Sequence, residues 1–386
     1  MRNLHVIASV NPAGGGPIEG LKQMAKVLTS QGHTVEVATM DDPTSPWVKE
    51  FPLTVHALGP GKSALGYAPN LLAWLRANVD HYDAIVVNGL WMYNGYAVWK
   101  ATRKSKTPYF VFTHGMLDPW FNQEYPLKKL KKNLFWSWAQ HPVLRDAELV
   151  LFTSEEEKLL ARESFRPYNV KERVVKYGTP GPSAERTQLA ERFLEKFPDL
   201  KGKRVLLYLS RIHVKKGCDL LINSFAKVAK SASGSVLVLA GPDKTNWVPQ
   251  LRAQAESLGV ADRIFWPGML TGDDKWGAFA AAEAFVLPSH QENFGIVVAE
   301  ALASSTPVLI SDKVNIWREI LAAKGGIVEP DTQEGTDRLL NKWFELTESE
   351  RLEMSVNARK CFMENFDIQA AAECLLEVTR NGRDIP

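Results

Sequence analysis

Short apolar runs alternate with longer segments in which apolar residues recur every three or four positions, and this alternation continues along all 386 residues. Several of the short runs consist of consecutive Val, Ile, Leu and Phe residues, which is typical of parallel strands buried on both faces. The longer segments have the spacing of helices. We predict strands at 3–9, 34–39, 53–58, 83–88, 108–113, 148–153, 204–209, 235–240, 263–266, 284–288 and 307–310.

Regular alternation of strands and helices predicts an α/β fold built from doubly wound parallel sheets. The strands fall into two sets, and the Gly/Pro cluster Tyr177-Gly178-Thr179-Pro180-Gly181-Pro182 follows the first set. Because such clusters interrupt regular structure, we place a domain boundary there. The sequence therefore predicts an N-terminal domain over 1–179 and a C-terminal domain over 180–366.

The composition, 45% hydrophobic and 23% charged, is that of a soluble globular protein. The apolar run Leu4-His5-Val6-Ile7-Ala8 lacks the long core and cleavage site of a signal peptide, so we interpret it as a first strand. No run approaches the ~18 apolar residues of a membrane-spanning helix. Cys218, Cys361 and Cys374 form neither a disulfide framework nor a metal-binding pattern. We therefore expect a reducing, cytoplasmic location.

Distinctive residues follow predicted strands in both halves of the chain. Gly14-Gly15-Gly16 follows the first strand, His114 follows strand 108–113, and Arg211, Gly241 and Glu292 follow strands of the second set. Open α/β sheets bind ligands beyond the carboxyl ends of their strands. We therefore expect a single ligand-binding cleft between two domains.

The segment 289–308 contains two acids, Glu292 and Glu300, on either side of Asn293-Phe294-Gly295. If a helix starts near Gly295, its free N–H groups lie between the acids and attract an anion. Carboxylates suit sugar hydroxyls, and an anion between them suits a diphosphate. The pattern predicts a nucleotide-sugar as ligand.

A second cluster, Arg211-Ile-His-Val-Lys-Lys-Gly217, joins a strand to a predicted helix. The guanidinium of Arg211 and the ammonium of Lys216 suit a diphosphate, because charge-assisted hydrogen bonds are strong. For each of these candidate residues a simpler, structural interpretation stays open. The glycines after the first strand also suit a tight turn, His114 also suits a backbone hydrogen bond, and the lysines and glutamates also suit a solvated surface.

Taken together, Arg211…Lys216-Gly217, Glu292-x7-Glu300 with Asn293-Phe294-Gly295, and Thr306-Pro307-Val308 resemble glycosyltransferase family 4. The segment His114-Gly115-Met116-Leu117-Asp118-Pro119-Trp120 resembles a subgroup that builds bacterial exopolysaccharides. The resemblance covers most of the chain, although Ser304-Ser305 departs from the glycine that is usual there. It implies the GT-B fold, in which two Rossmann-like domains face a cleft and a final helix, about 367–386, returns to the first domain.

The same resemblance assigns roles to residues of this sequence. It implies that Arg211 and Lys216 hold the diphosphate, that Glu300 holds the ribose, and that the backbone near Leu270 reads the base. Glu292 and the backbone of Asn293, Phe294 and Gly295 hold the donor sugar and phosphate. In the acceptor-side domain, His114 reaches the donor sugar, and Gly15 and Gly16 approach it closely. Glu292 and His114 are the expected catalytic residues.

The implied reaction is retaining transfer of a hexose from a nucleotide-sugar, UDP-glucose by family frequency, to a saccharide or lipid-linked saccharide in polysaccharide synthesis. The sequence contains no Asp-x-Asp motif, so we expect neither a metal nor another cofactor. Two alternatives stay open: a nucleotide-sugar epimerase on the same fold, and a non-catalytic carbohydrate-binding scaffold.

The segment 127–138 has Leu127, Leu130, Leu134 and Trp138 at helical spacing, with four lysines on other faces. Residues 1–180 also hold 21 Lys and Arg against 16 Asp and Glu, a difference of +5. One interpretation is a helix that docks on an anionic membrane. The other, which we favour from sequence, is a helix packed on the first domain with a solvated lysine face. We expect no nucleic-acid partner, because the basic segment is short and belongs to no recognisable module.

Overall fold

The computed structural model describes residues 1–120 and 126–381, and the chain divides into two compact units. Unit 1 contains Met1–Gly178 and the C-terminal helix Ile368–Asn381. Unit 2 contains Thr179–Asp367.

Unit 1 is built on a parallel sheet in the order β3-β2-β1-β4-β5-β6-β7. Its strands are β1 Arg2–Ile7, β2 Thr34–Thr39, β3 Thr54–Ala57, β4 Ala84–Asn88, β5 Tyr109–Phe112, β6 Leu149–Phe152 and β7 Glu172–Val174. The strand order reverses between β1 and β4, and this switch point is where open α/β sheets place their ligands.

The helices of unit 1 cover both faces of this sheet. They are α1 Gly16–Ser30, α2 Pro46–Lys49, α3 Pro69–Asn78, α4 Tyr93–Thr102, α5 Pro126–Phe135, α6 His141–Arg145 and α7 Glu155–Ser164. The C-terminal helix packs against α1. The central strands consist almost entirely of buried apolar residues, which explains why they read as continuous hydrophobic runs.

Unit 2 is built on a second parallel sheet in the order β10-β9-β8-β11-β12-β13. Its strands are β8 Arg204–Leu209, β9 Ser235–Ala240, β10 Ile264–Gly268, β11 Ala284–Leu287, β12 Val308–Ser311 and β13 Gly326–Glu329. Its helices are α8 Arg186–Lys196, α9 Cys218–Val228, α10 Val248–Ser257, α11 Gly272–Ala281, α12 Ile296–Ala303, α13 Trp317–Ala323, α14 Gln333–Glu345 and α15 Glu348–Asn365.

The core of unit 2 contains large side chains from both strands and helices. The large fully buried ones are Phe193, Tyr208, Phe225, Phe279, Phe285, Trp343 and Phe362. The long helix α15 begins at a capping box, in which the Thr347 side chain accepts from the Glu350 N–H while the Glu350 carboxylate accepts from the Thr347 N–H. Such reciprocal caps satisfy N–H groups that a helix start otherwise leaves unpaired.

The predicted fold class is confirmed, because both units are doubly wound parallel α/β sheets. Two strands were missed, β7 and β13. Both are at sheet edges, and neither contains more than two apolar residues, so neither stands out as an apolar run.

The predicted helix at 127–138 corresponds to α5 and a following π-helical turn, Trp136–Gln140. The side chains of Leu127, Lys128, Lys129 and Lys131 lie outside the described residues. Leu130, Leu134 and Trp138 are 64%, 69% and 63% exposed. These three side chains are therefore not packed on unit 1. The segment itself is packed there, as the favoured interpretation expects, because Trp136 is fully buried in the core of unit 1. No helix in the described residues is long and apolar enough to cross a bilayer.

Candidate functional site

The candidate residues of unit 2 lie on loops that follow two neighbouring strands. Arg211 and Lys216 follow β8, and Glu292 follows β11, which pairs with β8 in the sheet. The strand order reverses between β8 and β11, so both loops leave the sheet at its switch point. Two segments 76 residues apart in sequence are thereby brought side by side.

The central contact of this region is an ion pair between the Lys216 ammonium and the Glu292 carboxylate. The Lys216 side chain is only 6% exposed, whereas that of Glu292 is 24% exposed. Lys216 therefore presents a buried positive charge beneath a carboxylate that still reaches solvent. A buried charge requires such a partner, because desolvation without one is costly.

The two loops are held together by further contacts along their length. The Lys215 carbonyl accepts from the His290 N–H at 2.8 Å and from the Ser289 hydroxyl at 2.9 Å, and Lys215 Nζ donates to Gln291 Oε1 at 2.8 Å. Gly217 has φ 67°, and a Cβ there would lie 2.3 Å from the Pro288 carbonyl oxygen. Only glycine fits this close approach, which sets the position of Lys216 relative to Glu292.

Glu292 is also held through its backbone. Its N–H donates to the Lys313 carbonyl at 2.9 Å, and its carbonyl accepts from the Asn315 N–H at 3.0 Å. The segment after β12 therefore fixes the loop from the other side. The direction of the Glu292 side chain is thus set by three separate chain segments.

The helix α12 begins immediately after Gly295, which has φ 70°. This confirms the expected helix start and places Glu292 before it and Glu300 inside it. Phe294 is buried and packs edge-on against Phe366 at a ring distance of 5.6 Å. The first N–H groups of α12 have no partners within the helix and form an anion-attracting end beside Glu292.

Glu300 is nearly buried and accepts from Lys275 Nζ at 2.6 Å. Lys275 lies on α11 and also sits 4.9 Å from the centre of the Trp276 ring. This partner was not predictable from sequence, because Lys275 belongs to no motif and is 25 residues away from Glu300. The Lys275 ammonium therefore neutralises the negative charge of the Glu300 carboxylate.

The remaining candidates of unit 2 are placed as follows. Arg211 is exposed at the end of β8, while Leu270 is buried just beyond β10. His213 caps the turn before Lys216, since its Nδ1 accepts from the Lys215 N–H at 3.1 Å. His213 and Lys215 both help to hold the loop.

In unit 1, Gly15 lies between β1 and α1, and Gly16 is the first residue of α1. Gly15 has φ 76°, which favours glycine, and it precedes the first residue of the helix. A Cβ at either glycine would meet nothing within 4 Å. This open space in front of a helix start leaves room for a ligand to approach the backbone closely.

His114 follows β5 in unit 1. Its Nε2 lies 3.2 Å from Asn88 Oδ1, and its ring stacks on Phe112 at 5.3 Å. The amide nitrogen of Asn88 donates to the Val86 carbonyl, so the amide oxygen faces His114. With the amide in this orientation, the contact is a hydrogen bond in the tautomer that carries the proton on Nε2, and in that tautomer Nδ1 is the ring nitrogen that accepts.

Burial lowers the pKa of His114 to about 4, so the imidazole is neutral at neutral pH. Burial also lowers the pKa of His5, on the other side of Asn88, to about 4. The partner of His114 is thus a side chain rather than the backbone acceptor of the simpler interpretation. Asn88 was missed, although a polar residue at the end of a buried strand was a usable signal.

The structure joins Lys216 with Glu292 directly and places Gly295 between Glu292 and Glu300. Within residues 1–120 and 126–381, no three His, Cys, Asp or Glu side chains converge as a metal site would require. In unit 2, the side chains of Arg211 and Lys216 and the start of α12 are suited to binding an anion. The carboxylates of Glu292 and Glu300 lie before and after the start of that helix.

Two family models match the chain. Residues 190–361 match the model described as glycosyl transferases group 1. Residues 15–178 match the glycosyl transferase 4-like domain. The two matches together cover most of both units.

Individual proteins are similar over long stretches. Mannosylfructose-phosphate synthase from Agrobacterium fabrum is 26% identical over 344 residues, which is 79% of this chain and 73% of that protein. Alpha-monoglucosyldiacylglycerol synthase from Streptococcus pneumoniae is 30% identical over 187 residues, 44% of this chain and 41% of that protein.

Solved structures share the fold along the whole chain. Sucrose-phosphate synthase from Thermosynechococcus elongatus superposes with a TM-score of 0.76 at 17% identity, covering 99% of each chain. HepE from Anabaena in complex with UDP superposes with a TM-score of 0.77 at 18% identity, covering 98% of this chain and 99% of that one.

Proposed function

The chain belongs to glycosyltransferase family 4 and has the GT-B fold, and on that premise we propose that it moves a hexose from a nucleotide-sugar to a saccharide or lipid-linked saccharide. The observation that carries the proposal is the Lys216–Glu292 pair at the β8/β11 switch point, beside the start of α12. A diphosphate fits the cationic part of this region, and a sugar fits the carboxylate.

In the proposed reaction, the bond between the sugar C1 and the diphosphate oxygen breaks, and its electron pair leaves with the diphosphate. Lys216, Arg211 and the N–H groups at the start of α12 stabilise that charge. Glu292 orients the sugar and supports the positive charge on its ring. The acceptor oxygen then bonds to C1 with retention, and its proton leaves with the diphosphate.

These cationic groups supply charge neutralisation without a metal, so we propose metal-independent transfer. Glu300 is the proposed ribose contact and the backbone near Leu270 the proposed base contact. The backbone of Asn293, Phe294 and Gly295 is proposed for the phosphate. In unit 1, Gly15, Gly16 and neutral His114 are proposed to contact the donor sugar.

UDP-glucose is the proposed donor. HepE, which shares the fold, was crystallised with UDP, with UDP and glucose, and with UDP-glucose. An alpha-(1-6)-mannosyltransferase from Mycobacterium tuberculosis that is 26% identical over 209 residues is named as GDP-mannose-dependent. A GDP-linked donor is therefore the alternative to compare.

A thermal-shift panel of nucleoside diphosphates and nucleotide-sugars tests the proposal. We expect UDP and UDP-glucose to raise the unfolding temperature and the adenosine and guanosine counterparts to have little effect. At 100 times its dissociation constant a ligand of the folded state stabilises it by about 2.7 kcal/mol. Failure of every nucleotide to bind would contradict the transferase proposal and favour a non-catalytic scaffold.

Product analysis completes the test. With donor and a saccharide acceptor we expect an α-linked product from an α-linked donor, formed equally well in the presence of EDTA. Donor isomerised in the absence of acceptor would identify an epimerase instead. A product with inverted configuration would contradict the proposed retaining mechanism.

We also propose that the acceptor is presented at an anionic membrane surface and that unit 1 docks there. Leu130, Leu134 and Trp138 are exposed at four-residue intervals, so they share one helical face. The segment carries four lysines, and residues 1–180 have an excess of five positive charges. Alpha-monoglucosyldiacylglycerol synthase, a relative, is named for a lipid product. Exposed apolar residues beside lysines suit an anionic lipid interface.

Co-sedimentation with phosphatidylglycerol-containing vesicles tests the docking. We expect the wild type to bind and a charge-reversed variant, with Lys128, Lys129, Lys131 and Lys132 changed to Glu, to lose at least about tenfold in affinity, since each lysine near the surface contributes ~1 kcal/mol. A matched control reverses four exposed lysines of unit 2, namely Lys201, Lys203, Lys230 and Lys244. Equal loss in both variants, or no binding by the wild type, would remove the membrane proposal.

A further inference from the structure

Glu157 is a buried carboxylate that lies outside the residues discussed so far. It is the third residue of α7 and is only 4% exposed. The Ser154 side chain caps this helix by accepting from the Glu157 N–H at 3.1 Å. The positive end of the helix dipole favours a negative charge at this position. This interaction partly offsets the cost of burying the Glu157 carboxylate.

Each oxygen of the Glu157 carboxylate accepts from one hydroxyl and one backbone N–H. Oε1 accepts from the Thr113 hydroxyl and the Gly115 N–H, both at 2.6 Å. Oε2 accepts from the Thr153 hydroxyl at 2.6 Å and from the Thr153 N–H at 2.7 Å. One side chain thereby ties the segment after β5 to the end of β6.

The residue between two of these donors is His114. It has φ 49°, and the next residue, Gly115, has φ 73°. A non-glycine residue in the left-handed region costs of order 1 kcal/mol or more and persists only when its surroundings hold it. The hydrogen bonds from Thr113 and Gly115 to Glu157 hold the chain on both sides of this residue.

We infer that Glu157 is a positioning residue that fixes the backbone and ring of His114 for sugar binding. This inference rests on the proposed function in one respect, namely that His114 contacts the donor sugar. Glu157 acts through the Thr113–Gly115 segment, while Asn88 holds the ring itself. Glu157 and Asn88 together determine where the imidazole of His114 lies and which of its nitrogens accepts a hydrogen bond.

The variant Glu157→Gln isolates this role, because it conserves size but not the acceptor pattern. An amide has only one oxygen, so its NH₂ must face either the Gly115 N–H or the Thr153 N–H. Two donors then oppose each other in a buried place, and the segment must shift. A matched control is Tyr109→Phe, which removes a buried 2.7 Å hydrogen bond to the Val143 carbonyl at the other end of β5.

The first readout is the NMR spectrum of protein with ¹⁵N-labelled histidine. In the wild type and in Tyr109→Phe we expect His114 to show the Nε2–H tautomer and to stay neutral down to about pH 5, because burial lowers its pKa to about 4. In Glu157→Gln we expect displaced His114 signals and a mixture of tautomers. Unchanged His114 signals in Glu157→Gln would overturn the inference.

The second readout is a double-mutant cycle in transferase turnover. A misplacement of about 1 Å can cost ~100-fold, so we expect Glu157→Gln to lower kcat/KM by about 10- to 100-fold in the wild-type background. In a His114→Ala background the same change should cost less than about threefold, because the group that it positions is gone. An equal loss in both backgrounds would show a merely structural role.

The two readouts separate failure of this inference from failure of the proposed function. If the wild type transfers no sugar, the transferase proposal fails, and the NMR spectra still decide whether Glu157 positions His114. In the proposal, UDP is bound by residues of unit 2. The UDP affinity of Glu157→Gln should therefore be within about twofold of the wild-type value, on the order of experimental error. A large loss of UDP affinity would contradict an action limited to His114.

Discussion

Glu292→Gln is expected to lower kcat by about 100- to 1000-fold, the range for removal of one group that stabilises charge in a transition state. The amide keeps the size of the side chain and its hydrogen-bonding reach but not the negative charge. The sugar ring becomes positively charged as the diphosphate leaves, and in the variant no carboxylate stabilises that positive charge. The neutral sugar of the ground state loses little stabilisation. We therefore expect the dissociation constant of UDP-glucose to change by less than about threefold.

Turnover and donor affinity, measured separately by single-turnover kinetics and calorimetry, check this prediction. The matched control is Glu283→Gln, at the opposite end of the same strand region, where the carboxylate pairs with Arg204 at 3.0 Å. Turnover of that variant should stay at the wild-type level. Full turnover in Glu292→Gln would refute the role, and a sugar trapped covalently on Glu292 in the wild type would replace it by double displacement.

Lys216→Met is expected to weaken UDP binding by about 10- to 150-fold, since a hydrogen bond to a charged group contributes ~1.5–3 kcal/mol. The loss in kcat/KM should be larger, because more negative charge reaches the diphosphate as the bond breaks. Glu292 also loses its ammonium partner, but its side chain is 24% exposed and water can solvate it. The variant should therefore fold.

Calorimetry with UDP and steady-state kinetics measure these two losses. Lys227→Met is the matched control, because Lys227 forms an ion pair with Asp337 at 2.5 Å on an exposed face of unit 2. It should bind UDP as tightly as the wild type. If both variants retain full affinity, Lys216 is a structural partner of Glu292 and the diphosphate is held elsewhere.

Most strands were predictable from the apolar runs alone. The strands β2, β8 and β9 have the predicted bounds, and the other predicted strands differ by one or two residues at an end. Two of the four edge strands, β7 and β13, were not predictable. The segment Glu172–Val174 has two charged residues in three, and it pairs only because β6 offers a free edge. No local pattern encodes the presence of that neighbour.

The sequence motifs single out the candidate residues, but they do not show which of those residues contact one another. Gly295 marks the start of α12 because the motif and the helical pattern coincide there. The partners of the acids were not visible, since Lys216 reaches Glu292 across 76 residues and Lys275 reaches Glu300 across 25. Glu157 had a weak local signal as the third residue after the capping Ser154, but nothing local connects it with His114.

The sequence by itself determined the two sets of buried strands, the helix starts and the residue types that follow each strand, because these depend on local periodicity, glycine conformations and helix capping. Only the tertiary structure decided which of those residues meet. The order of the strands in the two sheets places β8 beside β11 and β5 beside β6, and this order depends on contacts between segments far apart in the chain. The ion pair of Lys216 with Glu292 and the support of His114 by Glu157 therefore follow from topology, which no stretch of the chain specifies alone.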